Sequence, residues 1–172
     1  GNMIDHVYHE HRYYWSITAL TAAAAWYGMT ITAAWQTEPQ GGSLRVELVH
    51  TTTGWRPDTN VGRLITQERD WATRPAGFAG WQGRVDRLRD RLRALIHIHA
   101  PLVGIGAPAK ATTLLSYCDI GPDLLTHVED PAPSKIGRYM PGGRIPVLAP
   151  QDDLDEPVYL LLVWNYLRPI LQ

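Results

Sequence analysis

Residues 102–110 read LVGIGAPAK, a short apolar run, two glycines, and a proline that opens a run of alanine, threonine and leucine. An apolar run that breaks on glycine and restarts at helical spacing is the junction between a buried strand and the helix after it. The spacing predicts a strand over 102–105 and a helix over 109–117. Further short apolar runs follow at 124–129 (LLTHVE), 145–148 (IPVL) and 158–164 (VYLLLVW), and a terminal helix is expected after Asn165. Strands alternating with helices over about seventy residues call for a parallel sheet, so the fold class is α/β, with a Rossmann-like domain over 101–172.

Upstream of Pro101 the pattern changes. Ser16 to Tyr27 (SITALTAAAAWY) is alanine-rich, with Ile17, Leu20, Ala24 and Tyr27 at helical spacing, Ser16 as N-cap and Gly28 as the terminating glycine. Met29 to Trp35 and Ser43 to Thr51 read as two strands of an antiparallel hairpin about the turn Pro39-Gln40-Gly41-Gly42. Asn60 to Trp71 reads as a helix and Arg74 to Gly80 as a Gly/Pro loop. Trp81 to His97 reads as the strongest helix, with an apolar stripe of Val85, Leu88, Leu92, Leu95 and Ile96. Its arginines alternate with Asp86 and Asp90, which favours a solvated, ion-paired face over a nucleic-acid patch. The chain divides into 1–55 (a helix and a hairpin), 56–100 (connecting helices) and 101–172.

Composition narrows the function classes. With 172 residues, 45% hydrophobic, there is enough apolar matter for a core. Sixteen Lys plus Arg against seventeen Asp plus Glu leaves a net charge of −1, and no field that would draw nucleic acid or anionic lipid. One cysteine, Cys118, excludes an internal disulfide and a Cys-cluster zinc site within these residues. No apolar run approaches the ~20 residues of a membrane span, and no signal peptide is visible, so a cytoplasmic setting is expected. The sequence opens on functional-looking residues at 6–11 with no leading strand or helix, and is expected to be the rear part of something longer.

Three clusters can carry chemistry. In Tyr8-His9-Glu10-His11 a histidine near its ordinary pKa can accept a proton, a carboxylate can orient it, and a tyrosine can donate to a developing oxyanion. No metal site is expected, because the histidines lack the helical i, i+4 spacing; an exposed strand remains the alternative. In Gly104 to Lys110 a glycine turn that opens a helix offers backbone N–H groups to a phosphate, Gly106 by close approach and Lys110 by charge. It matches neither GxGxxG nor a P-loop, and reads equally as a tight turn with no ligand. The third cluster, Asp130 to Gly143, carries Lys135, Arg138 and Tyr139 away from the end of a strand, where open parallel sheets bind ligands. Two cations and an aromatic suit a nucleotide diphosphate; a bare surface loop is the alternative.

Five ordered blocks bind these clusters together: IDHVYHEHRYYWSITAL, QGGSLRVEL, VGIGAPAKATTLLSYC, DPAPSKIGRYMPGGRIPVL and YLLLVWNY. In order and spacing they resemble the C-terminal portion of the S-adenosyl-L-methionine-dependent sugar C-methyltransferases. That resemblance implies a 4-keto-deoxysugar linked to dTDP as substrate, deprotonated beside its ketone and then methylated on carbon. It places the base at His11, with Glu10 and Tyr8 as further active-site residues. It makes Gly106, Lys110, Lys135, Arg138 and Tyr139 the residues that hold the sugar nucleotide. It makes 1–55 the tail of the methyl-donor domain. The glycine loop for S-adenosyl-L-methionine and the zinc cysteines of the family's N-terminal domain have no counterpart in this sequence. The implied partner is therefore a missing N-terminal half or a separate subunit. A non-catalytic sugar-nucleotide-binding module is the alternative.

Overall fold

The computed structural model describes residues 4–38, 41–71, 75–152 and 157–170. Two compact units account for these residues, one over 12–83 and the other over 4–11 together with 84–170. This division departs from the three stretches drawn from the sequence. The segment before Arg12 belongs with the C-terminal sheet rather than with the hairpin, and the long helix is shared between the units.

In the first unit, helix α1 (Ile17–Trp26) packs with strands β1 (Met29–Thr37) and β2 (Ser43–His50) and helix α2 (Thr59–Trp71). The strands pair antiparallel, as the alternation predicts, while the Pro39-Gln40 half of the expected turn lies outside the described residues. The register slips between Ile31 and Ala33. That bulge puts Ile31 and Ala34, three apart, on the same buried face. They meet Ile17, Ala24, Val61 and Leu64. Tyr27, expected on this stripe, is instead exposed beyond the end of α1.

The start of α1 is held from a distance. Ser16 Oγ accepts from the Ala19 N–H at 3.1 Å. The Glu68 carboxylate, on α2, accepts from the Ile17 N–H (2.7 Å), the Thr18 N–H (2.9 Å) and the Thr18 hydroxyl (2.8 Å). Partial burial pushes the Glu68 carboxyl up, but the Thr18 and Ile17 amides and the Thr18 and Ser16 hydroxyls outweigh it and hold the group below its ordinary value. A lowered folded-state pKa gives stability above the unfolded value, lost as pH falls through the folded one. Glu68→Ala is expected to destabilise this unit by about 1–3 kcal/mol at pH 7, with the difference from the parent shrinking below about pH 4. Denaturant melts at pH 7 and pH 3 check this; an equal difference at both would contradict it.

Helix α3 spans Pro75–His99, so the expected loop over 74–80 is helical from Pro75 onward. Proline suits the first turn of a helix, where its missing N–H has no intrahelical partner to lose. On the second unit's part of α3, Val85 and Ile96 are buried and Leu92 packs on the sheet's core. Leu88 and Leu95, each three residues after a stripe member and so turned about 60° around the axis, are exposed. Asp86 and Asp90 both pair with Arg89, at 3.4 and 2.9 Å, in keeping with an ion-paired face.

The second unit holds β3 (Leu102–Ile105), α4 (Ala109–Tyr117), β4 (Leu125–Glu129), β5 (Val147–Leu148), β6 (Tyr159–Leu161) and α5 (Leu167–Ile170). The four strands form one parallel sheet in the order β5-β4-β3-β6. Its core gathers Leu115, Cys118, Leu125, Val128 and Ile145. The order reverses between β3 and β6, and open parallel sheets of this kind hold ligands outside the carboxyl ends of their strands. The last two strands are shorter than their apolar runs. Pro146 has no N–H for the ladder, and after Leu162 the chain passes into a 3-10 turn (Trp164–Tyr166). Gly106 is obligatory at the end of β3. Its φ is +81°, and a Cβ there would lie 2.5 and 2.7 Å from the two Val163 methyls.

Candidate active site

The Tyr8–His11 segment is a turn, not the extended strand that would set His9 and His11 side by side. A 3-10 turn (Ile4–His6) leads into it, and the His11 N–H donates to the Tyr8 carbonyl at 3.0 Å. The His11 ring folds back over the segment, its centroid 4.4 Å from that of Tyr8 and 5.8 Å from that of His6. His11 Nδ1 lies 2.8 Å from the His6 carbonyl oxygen. A carbonyl only accepts, so Nδ1 carries the proton, and the neutral ring has its lone pair on Nε2. That tautomer is what a general base needs. Glu10 is exposed, and its carboxylate lies 4.0 Å from His9 Nε2.

His9 points elsewhere. It lines a cleft of about 310 Å³ with Pro108, Lys135, Arg138, Tyr139 and Met140, among others. The first turn of α4 opens into the same cleft through Ala109 and Thr112, bringing the positive end of a nine-residue helix to one wall. The Lys135–Tyr139 stretch is an ordered excursion, not a loose loop. The Gly137 N–H donates to the Val147 carbonyl (2.9 Å), and the Val147 N–H to the Arg138 carbonyl (2.8 Å).

Asp130 fixes the base of this excursion. Its Oδ2 accepts from the Ala107 N–H and from Lys135 Nζ, both at 2.8 Å, and its Oδ1 accepts from the Ala132 N–H at 2.9 Å. One buried carboxylate thus ties the glycine turn, the loop and the loop's lysine together. Burial pushes its carboxyl up, but the Lys135 ammonium and the two amides prevail and hold it below the ordinary aspartate range.

The structure therefore gathers Lys135, Arg138 and Tyr139 in one cleft, with His9 added and the turn's Ala107–Ala109 as a wall. It does not bring Gly106 or Lys110 there. Gly106 lines a second cleft, of about 590 Å³, with Glu129, Tyr159 and Tyr166 among its walls. The Lys110 side chain is nine-tenths buried, and its ammonium is taken up inside the unit. Nζ donates to Asn165 Oδ1 at 2.8 Å, sits 3.8 Å from Asp5 Oδ2 and lies 4.3 Å from the centre of the Trp164 ring. A helix N-terminus places the α-carbon near a ligand, but the long stem here runs back into the unit. The roles of Asp5, Trp164 and Asn165 escape a motif search because their partners are remote in sequence, whereas Asp130 already opens the third cluster and finds Ala132 and Lys135 within five residues.

Among the described residues no group of three or more His, Cys, Asp or Glu side chains is placed to hold a metal ion, and no helix is long and apolar enough to cross a membrane.

A four-stranded parallel sheet reversing between β3 and β6, with a cleft walled by Lys135 and Arg138 and a histidine-bearing turn in the same unit, is a Rossmann-like α/β domain. The family described as "C-methyltransferase C-terminal domain" matches residues 38–172, most of the chain, and the chain belongs to that family. The match begins before β2. The chain is also similar to the C-methyltransferase NovU of Streptomyces niveus, at 27% identity over 99% of this chain. It spans 42% of that relative's length.

Proposed function

We propose that this chain is the sugar-nucleotide-holding, base-carrying portion of an S-adenosyl-L-methionine-dependent C-methyltransferase whose substrate is a dTDP-linked 4-keto-deoxysugar. The observation that carries this reading is the meeting, in one unit, of the histidine turn and a cleft walled by Lys135, Arg138, Tyr139 and the start of α4. The second cleft is larger but suits a diphosphate less well, because its walls carry Glu129 and Asp130 and no cation. In the cationic cleft, Arg138 and Lys135 pair with the diphosphate, and Tyr139, two-thirds exposed, offers its ring and hydroxyl to the nucleoside or sugar. His11 Nε2 takes the hydrogen on the carbon beside the ketone. The electron pair of that C–H bond passes to the ketone oxygen as an enolate, which the Tyr8 hydroxyl stabilises by donating to it. Glu10 keeps the pocket's polarity and orients the substrate.

The residues present do not fit the methyl donor. The glycine turn that leaves β3 has the space over Gly106 filled by Val163, where a nucleotide's phosphates or methionine moiety would need to approach. On this reading the donor site lies mostly outside this chain, in another part of the enzyme or in a partner subunit.

The test is dTDP binding to the purified chain by calorimetry. Arg138→Ala is expected to weaken it by about 1–3 kcal/mol, roughly five- to 150-fold, since a charge-assisted bond to the diphosphate is lost. An Arg138→Ala chain that binds dTDP as tightly as its parent would remove this site from consideration.

A further inference from the structure

The turn that carries the base is anchored in the unit that holds the sugar nucleotide, and the anchor is a buried polar cluster built around Asp5. Ile4 and Asp5 are both buried, although they lie at the very edge of the described chain. Asp5 Oδ2 accepts from the Trp164 indole N–H at 2.7 Å. The same oxygen lies 3.8 Å from Lys110 Nζ, with both side chains about nine-tenths buried. Lys110 is in turn held by Asn165 and by the face of the Trp164 ring. A second attachment lies two residues on, where the Thr113 hydroxyl donates to the Val7 carbonyl at 2.6 Å. The clamp thus draws on α4 and on the turn after β6, and it grips positions 5 and 7, immediately before Tyr8.

We infer that Asp5 is a positioning residue: clamped by Lys110 and Trp164, it fixes the turn so that His11 meets substrate held in the cleft. This rests on the reading of His11 as the base. The chemistry favours a dedicated role over a packing accident. An aspartate and a lysine removed from water are retained only where each finds partners, and a pair of apolar side chains would fill the same space more cheaply. Lys110 here serves as the counter-charge of an internal anchor and not as a phosphate ligand. The His6 carbonyl, one residue after Asp5, is the group that sets the tautomer of His11. Loosening Asp5 therefore disturbs both the place and the protonation of the base.

The experiment compares Asp5→Ala, Asp5→Asn and His11→Ala with the parent, using two readouts. The first is ¹⁵N relaxation of the backbone of residues 6–11 in the 172-residue chain. The second is solvent exchange of the substrate's α-hydrogen in D₂O by the complete enzyme, with a dTDP-4-keto-deoxysugar. Asp5→Ala is expected to drop the order parameters of the turn from about 0.85 to below about 0.6 while those of β3 and β4 stay unchanged. It should also cut the maximal exchange rate at least tenfold, with the half-saturating substrate concentration within twofold of the parent. Asp5→Asn keeps an acceptor for the Trp164 indole and should recover most of both losses. A turn as rigid in Asp5→Ala as in the parent, or a loosened turn with an undiminished exchange rate, would overturn the inference. A loss on His11→Ala but not on Asp5→Ala would refute the clamp alone. No loss on His11→Ala would refute the base assignment, and the positioning role with it.

Discussion

His11→Ala is expected to lower turnover of the complete enzyme by about 10²–10⁴-fold while leaving affinity for the sugar nucleotide nearly intact, the usual size of a positioned general base. Removing a proton beside a ketone near neutral pH needs a base matched to the medium, and histidine is the side chain whose ordinary pKa lies there. The geometry adds the tautomer, because the bond from Nδ1 to the His6 carbonyl leaves the lone pair on Nε2. His9 is the rival. It lies on the wall of the cationic cleft, whereas His11 lies against Tyr8. The two assignments separate in D₂O, where exchange of the α-hydrogen is followed by NMR without methyl transfer. Loss on His11→Ala with retention on His9→Ala supports the assignment made here. The opposite pattern moves the base by two residues.

Asp130→Ala should produce the second-largest effect, and on stability as well as on binding. It strands the buried Ala107 N–H, at about 1–3 kcal/mol for a buried donor left without an acceptor, and it removes the acceptor of the part-buried Ala132 N–H and of the Lys135 ammonium. Calorimetric melting should show the loss in the C-terminal unit, and dTDP affinity should fall by about tenfold or more as the loop relaxes. The sign of the pH dependence follows from the lowered carboxyl. The stabilisation is present above the unfolded-state value near 3.9 and disappears as pH falls through the folded-state one, so parent and variant should converge below about pH 4. Equal melting of parent and Asp130→Ala at pH 7 would show that the carboxylate is not the tie described.

The parallel sheet was legible because its signal is local: four apolar runs, each followed by a helix, a loop or a turn, and a glycine turn at the first. Helix α4 even begins and ends where the spacing of 109–117 puts it. The start of α3 was not, because Pro75 and its neighbouring glycines carry the composition of a loop and only the backbone shows them in a first helical turn. That Lys135, Arg138 and Tyr139 share one cleft was legible because one loop carries all three. The fate of Lys110 was not, since nothing within a few residues announces that Asp5 and Asn165 will take its charge. The companionship of His9 with that loop likewise comes from tertiary packing across more than a hundred residues of chain.

The measurement that bears most directly on the account is a crystal structure of this chain soaked with dTDP. The expected result is a diphosphate in the cleft between the first turn of α4 and the Lys135–Tyr139 loop, within hydrogen-bond distance of Arg138 or Lys135. A nucleotide seated instead beside Glu129, Tyr159 and Tyr166, or no bound nucleotide at saturating concentration, would contradict it.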